Sequence, residues 1–158
     1  MVLLGAGIYY HQVSPDYPDI SRVRYTLLDG RHLEMQALKG RPVIITFWAT
    51  SCVSCIKEIP GLIQLYQNYS SKGLEIIGVA MPYDRPDHVL EFAQSRHLAY
   101  PIALDIDAAI VKAFGDIQIT PNNFLVDTKG RIVKQQIGIL DIKDTERWLQ
   151  SATTNMKY

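Results

Sequence analysis

The 158-residue chain is short of most features that would assign it to a broad class at once. It has two cysteines only, Cys52 and Cys55. A disulfide between residues three apart closes almost no loop, so this pair cannot staple a fold. Structural zinc needs four ligands. One Cys-x-x-Cys and four scattered histidines, His11, His32, His88 and His97, do not supply them at any recognisable spacing. Excess charge is missing as well: sixteen basic residues balance sixteen acidic ones, which excludes the basic footprint of a nucleic-acid binder. No block of like charges marks a tail, and no repeat or low-complexity segment interrupts the chain. The apolar stretch Met1–Tyr10 falls short of the ~20 residues that span a bilayer. What is present is one domain's length of chain with 47% hydrophobic residues, enough for an ordinary core. The cysteines are therefore there for chemistry or for metal.

The stretch around them says which elements present them. Val43-Ile44-Ile45-Thr46-Phe47-Trp48 is rich in β-branched and aromatic residues and reads as a buried strand. After Cys52 the pattern changes: Ile56, Ile59, Leu62, Ile63, Tyr66 and Tyr69 recur at spacings of three and four, the apolar face of a helix. Cys52 thus sits where a strand gives way to a helix. The first helical turn offers unpaired N–H groups and the positive end of the macrodipole, and both stabilise a thiolate. Cys55 lies one turn on, on the same face. The pair reads as a dithiol/disulfide switch.

Phe47-Trp48-Ala49-Thr50-Ser51-Cys52-x-x-Cys55, with Lys57 and Pro60 following, resembles the active-site strand and loop of thioredoxin-like oxidoreductases. Glu58-Ile59-Pro60 is similar to the TlpA/ResA-like branch of that superfamily. The resemblance implies an α/β thioredoxin fold with an N-terminal β-hairpin and a central strand–helix insertion. It also implies a thiol:disulfide oxidoreductase outside the cytoplasm, periplasmic or extracytoplasmic and tethered to the cytoplasmic membrane. Two departures stand out: Ser51 replaces the tryptophan that usually precedes the first cysteine, and Thr46 falls where thioredoxin carries its buried acid. In the TlpA/ResA-like branch the acid is the glutamate matching Glu58. Pro121, alone, reads as an ordinary trans proline, since only about 5–6% of X–Pro bonds are cis. The resemblance implies a cis Thr120–Pro121 bond facing the cysteines, with the Thr120 backbone left free to pair with a substrate chain laid across Cys52. Asn122-Asn123 stand where the family more often has threonine or another small residue.

The remaining chain fits that frame. Residues 1–19 read as an apolar segment and linker. For Met1–Tyr10 three readings compete, a terminal strand, the remnant of a signal anchor and a frayed end. The remnant is preferred because Ser14-Pro15-Asp16-Tyr17-Pro18-Asp19 then makes an extended linker. The domain is residues 20–158. Val23–Leu27 and His32–Met35 around Asp29-Gly30 predict a hairpin. Leu74–Ala80 predicts a strand parallel to the first, joined by the helix after Cys52. Pro86–Leu98 predicts a helix with Val89, Leu90, Phe92 and Ala93 inward. Tyr100–Leu104 and Asp107–Phe114 form the inserted strand and helix, Phe124–Asp127 and Arg131–Gln135 a closing hairpin, and Asp141–Ala152 a last amphipathic helix.

The expected chemistry is thiol exchange at Cys52 and Cys55, with no cofactor beyond their disulfide. Glu58, one turn beyond Cys55, relays a proton, and Lys57 lends charge to the thiolate. Trp48 packs so as to shape a groove beside Cys52, and with Ser51 and Thr120 makes the substrate-binding set. The expected partners are protein disulfides or dithiols and an upstream membrane electron donor, in cytochrome c maturation or copper-site assembly. Val53-Ser54 between the cysteines matches neither the Gly-Pro nor the Pro-His of well-known reductants and oxidants, so it does not set the potential. Three other classes stay open: a Cu(I)-binding or metallochaperone-type protein of the same fold, since thiolates are soft ligands; a peroxiredoxin-like peroxidase, whose threonine three residues before the reactive cysteine is Ala49 here; and an interaction module with inert cysteines.

Overall fold

The computed structural model describes residues 16–154. It holds seven strands, β1 (Arg24–Leu27), β2 (His32–Glu34), β3 (Val43–Trp48), β4 (Glu75–Ala80), β5 (Ile102–Leu104), β6 (Asn122–Val126) and β7 (Ile132–Ile137). Four α-helices accompany them: α1 (Val53–Tyr69), α2 (Pro86–Ser95), α3 (Ala109–Ala113) and α4 (Ile142–Thr154). The strands form one sheet in the order β2-β1-β5-β4-β3-β6-β7. β3 runs parallel to β4 and antiparallel to β6, and β5 is parallel to β4. The thioredoxin fold, its N-terminal hairpin and its inserted strand and helix are all present. The hairpin turns at Gly30, whose φ of 81° suits a residue without Cβ, and β1 joins the sheet by pairing with the inserted β5. The N-terminal hairpin and the insertion therefore build one extension of the sheet.

β3 is buried along its whole length, and alternation sends its side chains into two cores. Val43, Ile45 and Phe47 enter one, with Phe114 of the α3 end and Phe124 of β6 edge-to-face against Phe47 at 5.1 and 5.9 Å. Ile44 and Trp48 enter the other, beneath α1, α2 and α4. Gly78 of β4 faces this second core. A Cβ there would lie 2.8 Å from Ile102 Cδ1 and 3.1 Å from Trp48 Nε1, so only glycine lets these side chains close over the strand.

Two predicted faces are corrected. The fully buried stripe of α1 is Cys55, Glu58, Ile59, Leu62, Leu65 and Tyr69, while Ile56, Ile63 and Tyr66 are only partly covered. The true stripe is rotated toward Leu65 because it contains a carboxylate, which hydrophobic periodicity assigns to the solvent side. On α2, Val89 is buried but Leu90 is 42% exposed, because the helix touches the sheet along a narrow line. Tyr17, in the predicted linker, packs against the first core, and the Gln135 N–H donates to its hydroxyl at 3.2 Å. The expectation for Met1–Tyr10 lies outside the described residues. Among the described residues, no helix is long and apolar enough to cross a membrane.

Candidate active site

The cysteines stand at the end of β3. The chain leaves Trp48, turns through Ala49–Cys52 with the Cys52 N–H donating to Ala49 O at 3.1 Å, and enters α1 with Cys52 as its N-cap. The Cys55 N–H donates to Cys52 Sγ at 3.2 Å. Cys52 and Cys55 are joined as a disulfide with their Cα atoms 5.2 Å apart. Their surroundings differ: Cys52 is half-buried and Cys55 is 2% exposed. An accessible sulfur thus sits at the positive end of a seventeen-residue helix whose first turn carries no acidic residue to compete for that field. Such a position favours the thiolate form once the disulfide is reduced.

Glu58, one turn beyond Cys55 and on the same stripe, is 3% exposed. Its Oε1 accepts the Leu140 N–H at 3.1 Å. Burial pushes its carboxyl up to about 7, against the opposing pull of that N–H and of the Asn123 amide. A carboxyl in this range exchanges protons near neutrality, as a general acid or base must. Thr46, at the place of the thioredoxin acid, is buried in β3 opposite Asn123 of β6. The acid here comes from the helix instead of the strand, and both positions belong to the layer between sheet and α1.

Antiparallel pairing brings the start of β6 to the end of β3: Phe47 faces Asn122, so Thr120 and Pro121 lie level with the loop that carries Cys52. The Thr120–Pro121 peptide is cis. The Pro121 carbonyl accepts the Gly138 N–H at 2.8 Å, whereas neither backbone group of Thr120 has a backbone partner among the described residues. Cys52, Cys55, Glu58, Thr120 and Pro121 are thus gathered at one end of the sheet. Ser51 is exposed there, and Lys57 is exposed on α1. Trp48 is the exception. It is 4% exposed, with its ring 5.4 Å from that of Phe92, so its side chain fills the core beneath α2 and is not presented to a substrate.

Two residues at this end, Leu140 and Asp84, escaped the sequence reading, and a third, Asn123, stood there only as a departure from the family. Asn123 sits beside Glu58, its Nδ2 donating to Gly138 O at 3.1 Å, with Oδ1 buried and unpartnered among the described residues. Leu140 supplies the N–H to Glu58. Asp84, between β4 and α2, accepts from Thr50 through both carboxylate oxygens. The only sequence signal for Asp84 was its place just past a strand end that runs parallel to β3.

Comparison with known proteins decides the family. The Redoxin family model matches residues 13–149. The chain belongs to the Redoxin family. Among its relatives within reach of the same fold, the thiol-disulfide oxidoreductase ResA of Bacillus anthracis is 36% identical over 129 residues, covering 81% of this chain and 73% of the relative. ResA of Bacillus subtilis is 32% identical over 112 residues, covering 71% and 62%. Of solved structures, StoA from Bacillus subtilis superposes with a TM-score of 0.72 at 25% identity, over 83% of this chain and 98% of StoA. A thioredoxin-family thiol:disulfide interchange protein from Chlorobium tepidum gives 0.76 at 25%, over 86% and 97%. This Redoxin-family chain is a ResA-like thiol–disulfide oxidoreductase.

Proposed function

We propose that this oxidoreductase is a reductant of specific protein disulfides outside the cytoplasm, serving cytochrome c maturation or copper-site assembly. The observation that carries the reading is the inequality of the two sulfurs: Cys52 accessible at the helix N-terminus, Cys55 buried directly above a buried acid. The Cys52 thiolate attacks one sulfur of a partner disulfide, the other partner sulfur leaves as thiolate, and a mixed disulfide forms. Cys55 then gives its proton to the Glu58 carboxylate and attacks Cys52 Sγ, releasing the second partner sulfur. The partner gains two electrons and the Cys52–Cys55 pair is left oxidised. A membrane-bound dithiol donor resets it by the reverse exchange.

The partner chain lies beside Cys52 against Thr120, whose backbone groups are open to receive it as an added strand, and Ser51 and Pro121 border the same path. Lys57 adds favourable charge at long range, weakened by its exposure. The extracytoplasmic setting rests on the likeness to the ResA relatives.

The experiment is the reduction potential of the pair, read by equilibrating the full chain with graded thiol/disulfide buffers. A value near the −270 mV of thioredoxin, within roughly 30 mV, supports the reductant. A value near the DsbA level of about −120 mV makes the protein an oxidant and overturns the proposal.

A further inference from the structure

Asp84 lies in the turn after β4, where its N–H donates to Met81 O at 2.9 Å and the Met81 N–H donates to Trp48 O at 2.9 Å. The ends of β3 and β4 are thereby tied one residue beyond their last ladder pair, Trp48 with Ala80. From this turn the Asp84 carboxylate crosses back to the cysteine loop. Oδ2 accepts the Thr50 N–H at 2.6 Å and Oδ1 accepts the Thr50 hydroxyl at 2.8 Å. Thr50 is two residues before Cys52 and inside the turn closed by the Cys52 N–H on Ala49 O. The loop is therefore pinned at Thr50 from one side and closed at Cys52 from the other. Downstream of the clamp, the only polar contact of Cys52 Sγ among the described residues, apart from its disulfide, is the Cys55 N–H at 3.2 Å. That hydrogen bond needs the sulfur placed over the first turn, because an N-cap acceptor serves only when the residue holds extended backbone geometry, as Cys52 does with φ −86° and ψ 103°.

We propose that Asp84 is a positioning residue of the redox site, its two-point grip on Thr50 holding the Cys52 sulfur over the first turn of α1. The proposal rests on the reading above that Cys52 is the attacking thiolate. Its action is geometric and opposes its own charge. A carboxylate this near the loop repels a thiolate, while the geometry it imposes supplies the thiolate with its N–H donor and the helix field. The other charged or titratable groups near the loop are Lys57 and Glu58 in the first two turns of α1, and on α2 its N-cap Arg85, paired with Asp87 at 2.7 Å, together with His88 and Glu91, which line a shallow hollow with Thr50, Phe92 and Ser95. All of them stay unchanged in the variants below.

The test is the pH profile of Cys52 alkylation by iodoacetamide in the reduced full chain, with mass analysis of the Cys52 peptide. Asp84→Ala removes the grip and the charge together. The thiolate then loses its donor, its midpoint moves up, and alkylation below that midpoint slows about tenfold for each pH unit of displacement. Asp84→Asn keeps an acceptor for the Thr50 N–H and a donor for its hydroxyl oxygen, so it returns the rate to the wild-type level or above. Thr50→Val leaves the charge and the backbone bond but removes half of the grip, and slows alkylation by about threefold, half a pH unit. If Asp84→Ala does not fold, this variant carries the decision. Unchanged profiles in Asp84→Ala and Thr50→Val overturn the proposal, and so does equal acceleration in Asp84→Ala and Asp84→Asn, the signature of charge alone. A wild-type Cys52 that reacts no faster than a free cysteine overturns the thiolate reading itself, which the variants by themselves do not do.

Discussion

The Glu58 carboxylate is hydrogen-bonded to the backbone N–H of Leu140, 3.1 Å away in space and 82 residues away in sequence. That bond fixes the acid in the layer between α1 and the sheet, where burial raises its carboxyl from 4.5 to about 7. A raised acid binds its proton more tightly folded than unfolded. Folding stability therefore falls as pH rises from 4.5 toward 7 and is level above that. Glu58→Gln is neutral at every pH and keeps an acceptor for Leu140. Its stability advantage over the wild type is expected to be near zero at pH 4 and about 3 kcal/mol at pH 8, measured by urea unfolding of the oxidised proteins. An equal gap at both pH values would sink the assignment.

The same substitution separates proton relay from packing. With Glu58 neutralised, Cys55 has no nearby base, and release of a mixed disulfide should slow by about a hundredfold at pH 7, the lower end of general-base contributions. First attack by Cys52 should keep its rate. Stopped-flow reduction of a model disulfide resolves the two phases, and equal slowing of both would count against the relay.

Cys55→Ser should accumulate the mixed disulfide through Cys52, whereas Cys52→Ser should form none, because the remaining sulfur is 2% exposed. Non-reducing gels and intact mass after mixing with an oxidised partner provide the readout. Adducts on both variants in similar yield would contradict the division of roles.

Gly78→Ala should destabilise the domain by about 1–3 kcal/mol, the range for overpacking a filled core. Its new methyl would meet Ile102 Cδ1 at 2.8 Å and Tyr100 Cε2 at 3.2 Å. Denaturant midpoints check this, and a neutral result would mean that Ile102 turns aside freely.

Asp105 is 3% exposed and accepts the N–H groups of Ile110 and Val111 at 2.9 and 2.8 Å, closing the first turn of α3. Asp105→Ala strands both donors and should cost about 2–4 kcal/mol. Because α3 carries Ile110 and Val111 into the first core, the loss should appear in global unfolding and not as local fraying. Hydrogen exchange of β3 amides reports which occurs.

What was legible in the sequence was local. The change from β-branched run to three-and-four spacing marked β3, the N-cap cysteine and α1, and the strand–helix–strand spacing marked the parallel pair. What was not legible depended on partners far along the chain. Asp84 meets Thr50 across 34 residues, and in the sequence it is one polar residue in a loop. Leu65 was hidden because the stripe it shares includes Glu58, and a buried charge breaks the pattern by which faces are read. Thr120–Pro121 was placed only through family resemblance, since spacing alone favours the trans form. Trp48 was legible as a packing residue at a strand end, but that it packs wholly inward depends on the room left by the missing side chain at Gly78.

Tyr17 contacts β7, near one edge of the sheet, while β1 stands near the other. Between them the chain passes β6, β3, β4 and β5, five strand spacings or roughly 24 Å, with Ile20 and Val23 pressed into the core on the way. It runs beside Gly130–Val133, at the end of the sheet away from the cysteines. The segment works as a girth strap. Tension applied upstream of Asp16 is met in shear along this strap, spread over buried side chains, before any of it can peel the hairpin. The loop holding Cys52 stands at the opposite end of the sheet, outside the line of that shear.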